Sequence, residues 1–357
     1  MSRSAAEGNT GMPRSYITAS QALAWASAVL VAAGVESGQA ADTALALVRT
    51  SLRGIDTHGL TRLPGYVAQL RGGALSRNAN VGIVPCGASL LVDGDLGLAP
   101  VVMARVVDAA IERLPKQGVV SVFIRRAGHF GCLGTHALRA AEAGYVMLLC
   151  QQTPAIMALP DARGPAIGNN PIAMAFPIAG RAPFVFDMAL SAVARGRVVA
   201  AVRDDESIPD GWAIDSEGVP TSNAVAALAG AMLPFGGASG GHKGIGLAMI
   251  VQLLAGSLAG AAQANLDRGG SVAGVGAFAL LIDPSVVVGR STFDADVAAW
   301  LVTYADAVGN DRYPGSASAQ KEVARHRGGI PISFVDLDAW KAMSTELNVP
   351  FFGDDSE

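Results

Sequence analysis

Residues 274–284 read GVGAFALLIDP, and the fold turns on the residues after those glycines. Gly274, Gly276 and Ala279 match the GxGxxA spacing of a dinucleotide-binding turn. That turn works by presenting backbone N–H groups at the start of a helix. Here the glycines run straight into Phe278–Ile282, an apolar stretch closed by Asp283-Pro284, so a strand stands where a helix is needed. Two other glycine runs fail for related reasons. Gly128–Gly134 has the wrong spacing, and GASGGHKGIG (237–246) places Gly244 after Lys243, where a phosphate loop needs a Ser or Thr for magnesium. The sequence therefore excludes both a Rossmann turn and a Walker loop.

Outward from that strand the chain alternates apolar β-type runs with helical patterns. SLLVDGD (89–95), GVVSVFIRR (118–126), VMLLC (146–150) and PFVFDMA (183–189) read as strands. Ala99–Leu114 and Gly134–Ala143 read as helices between them, and Thr153–Pro177 as a Pro/Gly-rich connection. The N-terminal part is helical. Thr18 with Gln21 forms a capping box for a helix to about Ala33, with Gly34 as its C′ residue, and Ser37 caps a second helix to about Leu52. A third helix carries Pro64 in its first turn and stops at Gly72-Gly73. Beyond Ser291 the pattern is helical again. The expected architecture is α/β: a mixed-sheet domain over 81–290, and a smaller helical domain built from both chain ends (15–80 and 291–345). Residues 1–14 and 346–357 read as loose tails.

With 357 residues, 51% hydrophobic and 16% charged, the chain can bury a large core, and a net charge of −4 gives no reason to expect nucleic acid. Cys86, Cys132 and Cys150 are an odd set without CxxC spacing, which argues against a disulfide framework or a cysteine zinc site and fits a reducing, cytoplasmic setting. No other metal-ligand pattern stands out. Gly244–Ala262 is long and apolar enough to raise a membrane span, but its Gly and Ala content reads as a buried helix, so no membrane partner is expected.

Two of the five histidines have distinctive neighbours. His58 lies in Asp56-Thr57-His58-Gly59 with Arg62 four residues later. If the turn is helical, both side chains share one face next to a helix N-terminus. A proton-transfer histidine beside a fixed guanidinium suits a substrate bearing a carboxylate. The alternatives are a surface histidine and an Arg62 paired with Asp56. His129, between Gly128 and Phe130-Gly131 at a strand end, is placed to meet a ligand, or is a structural histidine. Asp187 ends an apolar strand and needs a partner; a histidine would satisfy it, and an N-cap role is the alternative.

Six blocks in order, RGIDTHGLTRLPGY (53–66), GHFG (128–131), GNNPIAMAFP (168–177), DMALSAVARGRV (187–198), GWAIDSEGVPTS (211–222) and LPFGGASGGHKGIGLAMIVQLLAGSLAGA (233–261), resemble the malate/L-lactate dehydrogenase family. The resemblance runs over about Ser20–Pro331. It implies a homodimer with a nicotinamide-binding α/β domain that lacks the Rossmann turn, using NAD or NADP on a small carboxylate substrate. It assigns His58 to catalysis with Thr57 beside it and Asp187 as orienting carboxylate, and Arg62 to the substrate carboxylate. His129, Phe130 and Gly131 line the cofactor, with His129 a second candidate for the proton. Asp187, Met188, Ala189, Lys243 and Gly244 match cofactor positions.

The chain departs from the family pattern with Thr57 for Ser, Asn169 for Thr, Leu190 for Thr, and Ile245 for Tyr. PDARGPAIG (160–168) replaces a Gly-Gly pair, and PGSASAQKE (314–322) replaces a charged segment. Asn169 and Arg163 thereby become substrate-side candidates. The implied reaction moves a hydride between nicotinamide and the 2-carbon of a 2-oxo or 2-hydroxy acid. The alternatives are a cyclic ketimine (Δ1-piperideine- or Δ1-pyrroline-2-carboxylate) reductase and a catalytically idle nucleotide-binding relative.

Overall fold

The computed structural model describes residues 15–162, 164–261 and 274–352. The chain divides into two compact units, one reaching Asn78 and resuming at Ala317, the other comprising Ala79–Ser316.

In the first unit Thr18 opens the helix Ala19–Ala32 with the expected capping box: Thr18 Oγ1 accepts from Gln21 N–H at 3.2 Å and Gln21 Oε1 accepts from Thr18 N–H at 3.1 Å. The next helix, Ser37–Leu52, is capped by Glu36 and not by Ser37. The Glu36 carboxylate accepts from Gly38 N–H and Gln39 N–H at 2.9 and 3.1 Å, and it also takes the Ser37 hydroxyl. A carboxylate can satisfy two orphan donors and complement the helix dipole, which a single hydroxyl cannot. The helix Leu63–Arg71 carries Pro64 in its first turn, as expected. The strand Ser15–Ile17 pairs antiparallel with Ile330–Ile332, so the two parts of this unit share one ribbon. Beneath it Trp25 packs on Trp340 and donates to Ser344 Oγ at 2.8 Å.

The second unit is built on a seven-stranded sheet in the order Gly82–Cys86, Ser89–Gly97, Val119–Ala127, Val275–Ile282, Val146–Gln151, Ile172–Phe176, Phe184–Met188. Only Ser89–Gly97 and Val119–Ala127 run parallel; the other pairs are antiparallel. The glycines at 274 and 276 enter the sheet's central strand, which is apolar because both faces are covered. One face packs under the helices Ala99–Ile111 and Leu133–Glu142, with Val106, Leu133 and Ala137 against Val122, Ile124 and Leu149. The other face meets Ala248, Val251 and Ala255 through Cys150 and Phe278.

Those last three belong to the apolar segment that raised the membrane question. It forms a helix, Gly237–Val251, continued by a π-helical turn, Gln252–Ser257. Among the described residues no helix is long and apolar enough to cross a membrane. The helix starts before Lys243 and takes in the glycine run. At Gly244 a Cβ would lie 2.4 Å from the Phe235 carbonyl oxygen, so this close packing admits only glycine.

Two regions differ from expectation. Thr153–Pro177 contains three strands, Ala155–Met157, Ile167–Gly168 and Ile172–Phe176, the first two belonging to a small five-stranded sheet. The helix Arg290–Val308 stays with the second unit, where Arg290 Nη1 donates to the Gly144 carbonyl at 3.3 Å. The return to the first unit comes at Ala317 and not at 291.

Candidate active site

The segment bearing His58 is not α-helical. It makes two 3₁₀ turns, Asp56–His58 and Leu60–Arg62, broken at Gly59 (φ −93°, ψ −137°). The break comes from packing: a Cβ on Gly59 would lie 2.1 Å from Ser51 Oγ, and the same hydroxyl accepts from Leu60 N–H at 3.0 Å. The i,i+4 face expected for His58 and Arg62 is therefore absent, and a different contact brings them together. Arg62 Nε donates to the Thr57 carbonyl at 2.6 Å, folding the guanidinium back toward the histidine. His58 Nδ1 and Thr57 Oγ1 are 2.9 Å apart.

Burial first, and the Arg62 charge second, lower the His58 pKa to about 4, so the ring is neutral near pH 7. Arg62 is not paired with Asp56. Both Asp56 carboxylate oxygens are held by Arg325, at 2.6 and 3.0 Å, and the two Nη nitrogens of Arg62 make no bond among the described residues. An exposed guanidinium with its fork open, beside a neutral imidazole, is equipped to bind a carboxylate and move a proton.

In the second unit, the strand Val119–Ala127 runs into Gly128-His129-Phe130-Gly131. Gly128 N–H donates to the Gly97 carbonyl at 2.8 Å, and Gly131 N–H donates to His129 Nδ1 at 3.3 Å, which pins the half-buried ring. The Phe130 side chain is in the core and anchors the loop, which leaves only its backbone to face a ligand. His136, which no sequence signal marked, completes the anchor. Its Nε2–H donates to the Phe130 carbonyl at 2.9 Å, and burial lowers its pKa to about 4.

Asp187 finds its partner at a helix start. Its Oδ2 accepts from Gly134 N–H at 2.7 Å and from the Cys132 thiol at 3.2 Å, at the first turn of the helix Leu133–Glu142. Water still reaches the residue, yet the protein around it raises its pKa: desolvation comes first and outweighs the two hydrogen bonds that oppose it. The Cys132 thiol is pushed up to about 12 by burial first and the Asp187 charge second, so it is a protonated donor and no nucleophile.

Three further segments meet near the end of that strand. Leu190 N–H donates to the Asn169 carbonyl, and Phe235 N–H to the Leu190 carbonyl, at 2.8 and 3.0 Å. Asp187-Met188-Ala189, Asn169 and the run leading to Lys243 are thus brought together. Asn169 is half-buried, with its Oδ1 accepting from the Thr153 hydroxyl at 2.9 Å. Its neighbour Asn170, missed in the sequence, is wholly buried and bridges Thr153 N–H and the Ala248 carbonyl, both at 2.9 Å. Lys243 is exposed, whereas Gly244 is a packing residue. Arg163 lies outside the described residues. At the start of the helix Gly237–Val251, Gly237 and Gly240 have nothing within 4 Å of a Cβ position. With Lys243 near, the backbone there is open to the phosphates a dinucleotide would bring. Among the described residues no cluster of His, Cys, Asp or Glu could hold a metal.

Comparison with known proteins places the chain among dehydrogenases and reductases of small carboxylates. A family sequence model described as malate/L-lactate dehydrogenase matches residues 17–340. The chain is 40% identical over 263 residues to the (2R)-3-sulfolactate dehydrogenase (NADP(+)) of Chromohalobacter salexigens, covering 72% of this chain and 78% of that one. It is 36% identical over 264 residues to the Δ1-pyrroline-2-carboxylate reductase of Ancylobacter novellus, covering 72% and 76%. The crystal structure of Δ1-piperideine-2-carboxylate reductase from Pseudomonas syringae pv. tomato aligns with a TM-score of 0.83 at 30% identity, over 92% of this chain and 99% of that one.

Proposed function

Because the chain belongs to the malate/L-lactate dehydrogenase family and is an oxidoreductase, we propose that it interconverts a small 2-oxo acid and its 2-hydroxy acid with NAD or NADP. The observation that carries this reading is the neutral His58 beside an Arg62 whose fork is open. The bound nicotinamide supplies or accepts the hydride. Everything else falls to the chain's own side chains.

Arg62 grips the substrate carboxylate and so fixes the 2-carbon. His58 moves the proton at the substrate's 2-oxygen. In the oxidising direction its Nε2 must be unprotonated, so Nδ1–H donates to Thr57 Oγ1, and the lowered pKa keeps the ring ready to accept a proton. Bound carboxylate offsets the Arg62 charge, the second cause of that low pKa, so substrate raises the affinity of His58 for the proton that reduction requires. His129, Gly131, Met188, Ala189 and Lys243 hold the cofactor, in a domain of mixed sheet without a Rossmann turn. Asp187 works through Oδ1, which carries no bond among the described residues. Asn169 faces the substrate side.

A homodimer in the cytoplasm completes the proposal. The dimer is supported by the helix Arg290–Val308, where only Leu301 is buried while Trp300, Val302 and Tyr304 stand exposed. Absorbance assays with pyruvate, oxaloacetate, sulfopyruvate and a cyclic imino acid, each against NADH and NADPH, test the reaction. Reduction of at least one 2-oxo acid is expected. Turnover of the imino acid alone would make the chain a ketimine reductase, and cofactor binding with no turnover would make it an idle relative.

A further inference from the structure

The turn that carries His58 and Arg62 has a support that the roles above leave unassigned. Arg325 lies on the helix Ser316–Gly328 with its side chain 18% exposed. Nη1 donates to Asp56 Oδ1 and Nη2 to Asp56 Oδ2, a two-pronged contact at 2.6 and 3.0 Å, and Nη1 also donates to the Ser51 carbonyl. Ser51 is the residue against which Gly59 packs and whose hydroxyl receives Leu60 N–H. One guanidinium therefore fastens the turn at its base and at its first residue. Three residues earlier on the same helix, Glu322 accepts from Arg49 Nε at 3.2 Å and Arg53 Nη1 at 2.8 Å, holding the helix that leads into the turn.

We propose that Arg325 is a positioning residue for the His58–Arg62 turn, and that by occupying both oxygens of Asp56 it keeps Arg62 open to the substrate. Asp56 is the acid nearest in sequence to Arg62, and an exposed guanidinium with an unused fork pairs with any free carboxylate in reach. Within this turn Thr61 Oγ1 already donates to the Asp56 carbonyl at 2.6 Å and Arg62 Nε to that of Thr57, so the chain here is folded back on itself. With both carboxylate oxygens taken by Arg325, the internal competitor is removed. Lysine cannot substitute fully, because one ammonium lacks the planar fork that spans two carboxylate oxygens while also reaching a carbonyl.

The inference rests on the substrate role proposed for Arg62, and its test separates the two. Arg325→Met, Arg325→Lys and the double variant Asp56→Asn/Arg325→Met are compared with wild type by amide hydrogen exchange, steady-state kinetics and NADH binding. The reporting amides are those of His58, Gly59 and Arg62, bonded to the carbonyls of Ile55, Asp56 and Gly59. Arg325→Met should speed their exchange at least tenfold, leave the helix Ala19–Ala32 protected, and raise KM for the 2-oxo acid at least tenfold, with the NADH Kd within twofold. Arg325→Lys should fall between. The double variant should recover KM but not the slow exchange, because a neutral amide at position 56 does not compete for Arg62. Unchanged exchange and KM in Arg325→Met would overturn the proposal, as would a raised KM that Asp56→Asn does not relieve. If wild type reduces no acid at all, the functional reading falls, and the exchange result alone upholds or overturns Arg325 as the turn's anchor.

Discussion

Two histidines sit in connections between regular elements, and the chain holds them by different means. The His58 turn is held by charge: Arg325 grips Asp56, and the neighbouring Arg62 helps keep the ring neutral. The His129 loop is held by backbone and core: glycines on either side, Phe130 buried beneath, and His136 bonded to the loop's carbonyl. A ring held next to a cation has a proton affinity that an incoming anion can change. A ring pinned by a backbone N–H is a fixed surface for a ligand to rest on. This difference is why we propose the proton for His58 and the cofactor for His129.

Replacing the two histidines one at a time puts this contrast at greatest risk. His58→Ala should lower kcat by about 10²-fold or more, since a positioned acid or base contributes about 10²–10⁴. His129→Ala should act mainly by raising the NADH Kd in calorimetry. A dead His129→Ala beside a near-normal His58→Ala would reverse the assignment. Next in size is Arg62→Ala, which should cost about 2–5 kcal/mol in kcat/KM. Arg62→Lys should recover only part of it. Because Arg62 is exposed and spends only Nε on the fold, the Tm of Arg62→Ala should stay near wild type. A lowered Tm with intact kcat/KM would make Arg62 structural.

Asp187 tests the other region. Its folded pKa is raised above its unfolded value, so its contribution to stability declines as pH rises from about 4 through the folded pKa. Asp187→Asn keeps an oxygen for Gly134 N–H and removes the desolvated charge, so at pH 7 its Tm should be at or slightly above wild type while activity drops. A clear fall in Tm would mean that the helix terminus needs the full charge. The smallest effect concerns acid stability. His58 and His136 both have folded pKa values near 4 against an unfolded 6.5, so each takes up its proton more readily when unfolded. Stability is therefore lost as pH falls from about 6.5 toward 4, and His136→Gln should flatten that slope in a series of melting curves.

The features legible in the sequence are those that local chemistry dictates. The Thr18–Gln21 capping box, the strand after Gly276 and the Pro64 helix start each depend on a few adjacent residues. The Thr153–Pro177 strands escape because they are two to five residues long and interrupted by proline and glycine. At the site, the pairing of His58 with Arg62 is legible but its cause is not, since the Gly59 break depends on Ser51 packing. Arg325 stands 269 residues from Asp56 and carries no local mark. Asn169 draws notice by departing from a family pattern, while the buried Asn170 next to it looks ordinary until Ala248 is beside it.

In the proposed reaction Arg62 and His58 act on one substrate, carboxylate to the first and proton to the second. NMR titration of the His58 ring in the NADH-bound protein, with and without saturating oxamate, puts that pairing to the test. Oxamate carries the carboxylate but is not reduced. The ring should titrate near pH 4 without it and distinctly higher with it, and the rise should vanish in Arg62→Ala. A His58 pKa that oxamate leaves unmoved, or moves equally in Arg62→Ala, would contradict the pairing.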